Sequence, residues 1–225
     1  LVAQSYVPPK EIRIMRQLTR QRKTLVKGRT EISNKIHALL AQRGINLPWT
    51  TFCKKALLWL KELSKEQPLI KSYLHLRDQF TQEIIKVNGE IFDYVEQDEH
   101  AQLLMTIPGI GPRRALELLA EIGEWDRFPD SDKLCCYAGL VPSVRQSGST
   151  LKFGGLIKQA NTSIKYVLVE ASWNIVRTKE SNSLQEFYKK LAKKKGKQKA
   201  ICATARKLCC VVYAMLRKQQ PFMFL

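Results

Sequence analysis

Between Pro68 and Glu99 the apolar residues Leu69, Tyr73, Leu76, Phe80, Ile84, Val87, Ile91 and Val95 follow one another at steps of four, three, four, four, three, four and four. Only a helix holds such residues on one side, because this spacing matches the 3.5 to 3.6 period of a helical seam and a strand would scatter them over both faces. A seam of that length needs a partner helix. A hairpin within the chain and a dimer both satisfy it, and Gly89 weakens the helix by about 1 kcal/mol relative to Ala.

The same period runs from Pro9 to a stop at Gly44, through Ile12, Met15, Leu18, Leu25, Ile32, Ile36, Leu39 and Leu40. Its other side carries Arg13, Arg16, Arg20, Arg22, Lys23, Lys27 and Arg29 against only Glu11 and Glu31, which suits either a track along phosphates or a solvated face. A short helix over Phe52 to Leu63 follows. In the second half, helices are predicted over Arg113 to Ile122, Ser131 to Ala138, Asn161 to Thr178, Ser183 to Lys194 and Lys199 to Lys218, with a Gly- and Ser-bearing stretch from Gly139 to Gly155 between them. Strand signals are nearly absent. The expected fold is mainly α: a basic, coiled-coil-like helical linker over 1–100, then an all-helical domain over 101–225.

Charge narrows the function. Lys and Arg number 38 against 20 Asp and Glu, a net +18, which points to a polyanionic partner. No stretch approaches the roughly 18 apolar residues of a membrane span, so no membrane partner is expected. Six cysteines occur without a Cys-x-x-Cys spacing, which fits reduced thiols in a cytoplasm, and His37, His75 and His100 lie far apart. No metal site is expected in this chain. It opens on Leu1 with no Met and no signal-peptide pattern, and reads as a fragment of a longer protein.

Three motifs carry candidate chemistry. Pro108-Gly109-Ile110-Gly111 between apolar helices looks like a helix-hairpin-helix, in which glycines free backbone N–H groups for a phosphate at a helix start; Arg113 and Arg114 follow at once. The plainer reading is an ordinary turn. Lysines 189, 190, 193, 194, 195, 197 and 199 form a block that suits sequence-independent phosphate contacts or a solvated surface. Gln146-Ser147-Gly148-Ser149-Thr150, flanked by Arg145 and Lys152, offers a nucleophile beside cations, or a linker. Glu117 and Glu121 read as salt-bridged surface.

Taken in order, Ile107-Pro108-Gly109-Ile110-Gly111, Phe128, Tyr137-Ala138-Gly139-Leu140-Val141-Pro142 and Ser147-Gly148 resemble the bridge-RNA-guided insertion-sequence transposases related to the Piv invertase. Gly154, Lys158 and Asn161 are similar to that family's Gly, Lys and Asn pattern, and Ala205-Arg206-Lys207-Leu208 with Pro221-Phe222 to its C-terminal end. The resemblance covers Leu103 to Phe222. It implies a DNA transposase whose N-terminal RuvC-like domain, absent here, carries four metal-binding acids and magnesium. It assigns Ser147 as the nucleophile that forms a 5'-phosphoserine link to DNA. It implies nucleic-acid contacts at Gly109, Gly111, Arg113, Arg114, Arg145, Lys152, Lys158, Asn161, Lys165, Arg206 and Lys207, with DNA and a guide RNA as partners in a homo-oligomer. Two departures stand out: Ala160 where the family commonly has Gly, and Ile164-Lys165 where it has Leu-Arg. Without the acids, this chain alone is expected to be inactive. A noncatalytic nucleic-acid-binding protein using the hairpin is the alternative, and a Holliday-junction-processing factor a further one.

Overall fold

A computed structural model describes residues 6–49, 52–148, 150–179 and 181–223. Its elements are α1 (Lys10–Gln42), α2 (Lys54–Leu63), α3 (Pro68–Glu96), α4 (Glu99–Met105), α5 (Pro112–Ile122), α6 (Ser131–Tyr137), β1 (Pro142–Ser147), β2 (Thr150–Leu156), α7 (Thr162–Arg177), α8 (Ser183–Lys195) and α9 (Lys197–Lys218). The fold is mainly α, as its periodicities require. They group into two compact units, Leu18–Glu90 and Leu1–Gln17 with Ile91–Leu225.

In the unit Leu18–Glu90 the seam of α3 meets α1 of the same chain, so the partner helix is intramolecular. The two helices run antiparallel: Arg22 Nε donates to Asn88 Oδ1 at 2.7 Å, and Arg77 Nε to Ser33 Oγ at 3.3 Å. Gly28 lets the Phe80 ring lie where a Cβ would stand, only 2.7 Å from it. At the other end α2 enters, and Ile36, Leu40, Leu60, Ile70 and Leu74 form a buried core. The seam therefore differs from the simple repeat at its start. Leu69 is 49% exposed and Leu76 38%, because Leu60 of α2 draws Ile70 and Leu74 inward instead.

The other unit is built around α9, which buries Ala200, Ile201, Thr204, Ala205, Leu208, Cys209, Val212, Tyr213, Met215 and Leu216 and packs against α4, α6, α7 and α8. Helix starts are fixed by short polar side chains that accept otherwise unsatisfied N–H groups. Asp98 accepts from Ala101 N, Asp130 from Lys133 N, Asn161 from Ser163 N and Ile164 N, and Asn182 from Gln185 N. Tyr213 Oη donates to Phe128 O at 2.8 Å. Arg127 lies 4.2 Å from the Tyr6 and Phe128 rings and 4.7 Å from that of Tyr137.

The expectation of an all-helical second half fails at one place. Pro142–Ser147 and Thr150–Leu156 pair as an antiparallel hairpin, with Ser147 opposite Thr150 and Gly148 at φ +56°. Two short runs separated by Gly-Ser, with Gly at the first turn position, form a signal for a two-residue hairpin. The scarcity of buried positions along these strands is what hid it.

Candidate nucleic-acid interface

The hairpin's register sorts its residues. Val144 pairs with Phe153, Arg145 with Lys152, Gln146 with Leu151 and Ser147 with Thr150. Directly opposed residues share a face and successive ones alternate, so positions 145, 147, 150 and 152 line one side. The other side carries Val144, Leu151 and Phe153, which are 54%, 50% and 68% exposed. Ser147 and Lys152 are exposed to solvent, while the side chain of Arg145 lies outside the described residues, as does Ser149. Among the described residues nothing hydrogen-bonds the Ser147 hydroxyl.

Between α4 and α5 the chain turns through Thr106 to Gly111. Gly109 has φ +85°, and a Cβ there would stand 2.3 Å from Asn174 Nδ2 of α7. Glycine is thus required both by the backbone and by the close approach of α7. Arg114 closes the same turn: one Nη donates to Gly109 O at 2.8 Å and another lies 3.7 Å from Glu170 Oε2. Arg114 N and Ala115 N both donate to Gly111 O. Arg113 is exposed. Of the two arginines, it is the more exposed.

Asn161 does internal work. Its Oδ1 caps α7, its Nδ2 donates to Glu121 Oε2 at 2.8 Å, and its N–H donates to Tyr137 O at 2.9 Å. Glu121 is only 5% exposed, which corrects its reading as surface. A buried carboxylate needs donors, and Asn161 supplies one. Around it, Tyr137 Oη donates to Glu121 O, as does Arg16 Nη2, while Arg16 Nε donates to Ala120 O at 2.6 Å. No spacing rule finds this hub, since its members lie on α1, α5, α6 and before α7.

The remaining candidates lie on other elements. Lys158 is exposed on the return from β2, and Lys165 is partly buried near Gly139, where its Nζ would lie 3.5 Å from a Cβ. Arg206 Nη2 donates to Asp132 Oδ1 at 3.0 Å, a bond that raises the guanidinium pKa. Lys207 sits 4.1 Å over the Phe187 ring. Beside Arg206, the Cys135 and Cys210 sulfurs are 3.7 Å apart. A hydrogen bond from Cys209, aided by Cys210 and Arg206, pulls the Cys135 thiol down to about 7 against its burial, and the same bond pushes Cys209 up. All six cysteines are free thiols. No helix among the described residues is long and apolar enough to cross a membrane.

Among the described residues, no three His, Cys, Asp or Glu side chains converge to hold a metal ion.

Residues 101–189, from α4 into α8, match the model of the Transposase IS116/IS110/IS902 family. That segment contains the Pro108 to Gly111 turn, the hairpin with Ser147, Lys158, Asn161 and Lys165, and leaves out Arg206 and Lys207. The chain is 26% identical over 217 residues to the transposase for insertion sequence element IS1111A of Coxiella burnetii, covering 91% of this chain and 59% of that protein. It is 26% identical over 214 residues to the transposase for insertion sequence element IS1328 of Yersinia enterocolitica, covering 92% of this chain and 64% of the relative. With the pilin gene-inverting protein of Moraxella bovis it shares 31% identity over 207 residues, 84% of this chain and 58% of the relative. The chain thus spans about three-fifths of the length of these relatives.

Proposed function

We propose that this chain is the DNA-holding and nucleophile-bearing part of an insertion-sequence transposase. The observation that carries the reading is the register of the hairpin, in which positions 145, 147, 150 and 152 share one solvent-exposed face inside the segment matched to a transposase family. On that face a serine hydroxyl stands beside positions held by an arginine and a lysine. That is a suitable pairing for attack on a phosphodiester, since cations offset the charge that builds on the phosphoryl oxygens. Ser147 Oγ bonds to phosphorus, the bond from phosphorus to the 3' oxygen breaks, and that oxygen leaves as a 3' hydroxyl with the serine proton. The protein then carries the 5' phosphate. Resealing reverses the step with a different 3' hydroxyl.

DNA is the partner of this reading, and the turn from Thr106 to Gly111 with Arg113 is its second contact, acting as a helix-hairpin-helix. A guide RNA and homo-oligomeric assembly in the cytoplasm extend it. In this division of labour 1–100 serves as a basic linker and 101–225 as the transposase domain.

One observation favours a second reading, a clamp without chemistry: no described group hydrogen-bonds the Ser147 hydroxyl. One experiment separates them. The full-length gene product is incubated with DNA bearing the ends of its element, and denaturant-stable protein–DNA adducts are scored for wild type and Ser147→Ala. Adducts lost in the variant with DNA binding retained support the nucleophile. Retention of adducts in Ser147→Ala moves the nucleophile to another residue, and no adducts from wild type leaves the clamp.

A further inference from the structure

We infer that the cleft between the base of the hairpin and α9 takes the sugar–phosphate backbone of one DNA strand and leads it toward Ser147; this rests on the DNA-processing reading above. The cleft encloses about 540 Å³. Lys195, Lys199 and Arg206 line it together with Leu140, Leu156 and the pair Gly154-Gly155, and no carboxylate does so among the described residues. Lys195 and Lys199 are exposed and make no ion pair among the described residues. Arg206 is held in place by Asp132 at 3.0 Å.

Asp132 offsets the charge of Arg206, which leaves Lys195 and Lys199 as two like charges at one hollow, and an anion between them relieves their repulsion. The rest of the lining selects the kind of anion. Apolar Leu140 and Leu156 suit the carbons of a deoxyribose, and the two glycines leave bare backbone along which a chain can pass closely. The volume of the cleft is on the scale of clefts that take small ligands, about 300–1,000 Å³, which suits one backbone better than a duplex. The strands of the hairpin rise from its edge. Pro142 lines the cleft and Ser147 lies five residues further along β1, about 17 Å at roughly 3.4 Å per residue. Lysines of the 189–199 block thereby acquire distinct roles, with Lys195 and Lys199 facing the strand.

The test is the salt dependence of binding, measured on this chain with a labelled single-stranded DNA of about 16 nucleotides, the upper end of common single-strand site sizes. Each neutralised phosphate contributes about 0.7 to the slope of log affinity against log salt, so Lys195→Gln with Lys199→Gln should lower the slope by about 1.4. The double variant Lys65→Gln with Lys86→Gln removes the same charge from lysines paired to Glu62 and Glu83, and should leave the slope unchanged. Equal slopes in wild type and the cleft variant overturn the proposal. So does an equal fall in the control, or tighter binding of RNA or duplex with the same loss at the cleft lysines. The nucleophile is scored separately: a slope that falls at the cleft while no protein form makes adducts sustains the cleft and removes Ser147 from the chemistry.

Discussion

Replacing Asn161 with Ala tests whether the hub at the start of α7 holds the second unit together. The change removes the cap on Ser163 N and Ile164 N, at 3.1 and 3.3 Å, and the 2.8 Å bond to the buried Glu121 carboxylate. A lost cap costs about 1 kcal/mol. A hydrogen bond to a charged group contributes about 1.5–3 kcal/mol, so together about 2.5–4 kcal/mol is expected. In a chain of this size 1 kcal/mol moves Tm by about 2–4 °C, giving a fall of about 5–16 °C in thermal unfolding followed by circular dichroism. Asn161→Asp sharpens the test, because it retains the cap and adds charge at a favourable helix start, yet sets a second carboxylate against Glu121. One of the two then holds its proton to a higher pH folded than unfolded. The folded state therefore binds more protons, and the stability of the variant falls as pH rises. Its deficit against wild type should be large at about pH 8 and shrink toward about pH 5, above the ordinary carboxylate range. A cost below about 0.5 kcal/mol for Asn161→Ala, the scale of an indifferent surface change, would refute the reasoning. A deficit in Asn161→Asp that grows on acidification would refute it equally.

Gly109→Ala forces a Cβ against Asn174 at φ +85° and should cost about 2–4 kcal/mol, from backbone strain of about 1–3 kcal/mol with overpacking added. Adding Asn174→Ala should recover only the overpacking part in urea unfolding. Arg113→Gln should reduce the salt slope of duplex binding by about 0.9, the contribution of one phosphate. Arg114→Gln, which breaks the bond to Gly109 O, should lower stability and leave that slope nearly unchanged. Cys135 should titrate near 7 by thiolate ultraviolet absorbance. Because its folded pKa lies below the ordinary thiol value of about 8.5, its stabilisation is present above that value and lost as pH falls through about 7; Cys135→Ser should flatten this pH dependence.

The helices were legible because burial imposes their period: α1, α3, α5, α7, α8 and α9 all carry apolar residues at helical spacing. What periodicity missed was set by contacts between distant segments. The start of the α3 seam follows Leu60 on α2, and the buried Glu121 carboxylate takes a donor from Asn161, 40 residues away. The hairpin carries its register in a Gly-Ser turn but has almost no buried side to announce it. The glycines and prolines of Pro108 to Gly111 mark a turn between helices, while the roles of Gly109 and Arg114 in packing against α7 come from residues distant in sequence. Likeness to a family pointed at Asn161, and the fold adds why an asparagine suits that position: it caps one helix and satisfies a buried acid at once.

The most direct measurement is the site of covalent attachment. Trypsin cleaves after Arg145 and Lys152, so the peptide from Gln146 to Lys152 contains Ser147, Ser149 and Thr150 together. Full-length protein is reacted with element-end DNA, digested with nuclease and trypsin, and the peptide is fragmented in a mass spectrometer. A nucleotide phosphate on Ser147 is the expected result. Attachment at Ser149, Thr150 or another residue, or an unmodified peptide from protein that has cut its DNA, would contradict the assignment of Ser147 as the nucleophile.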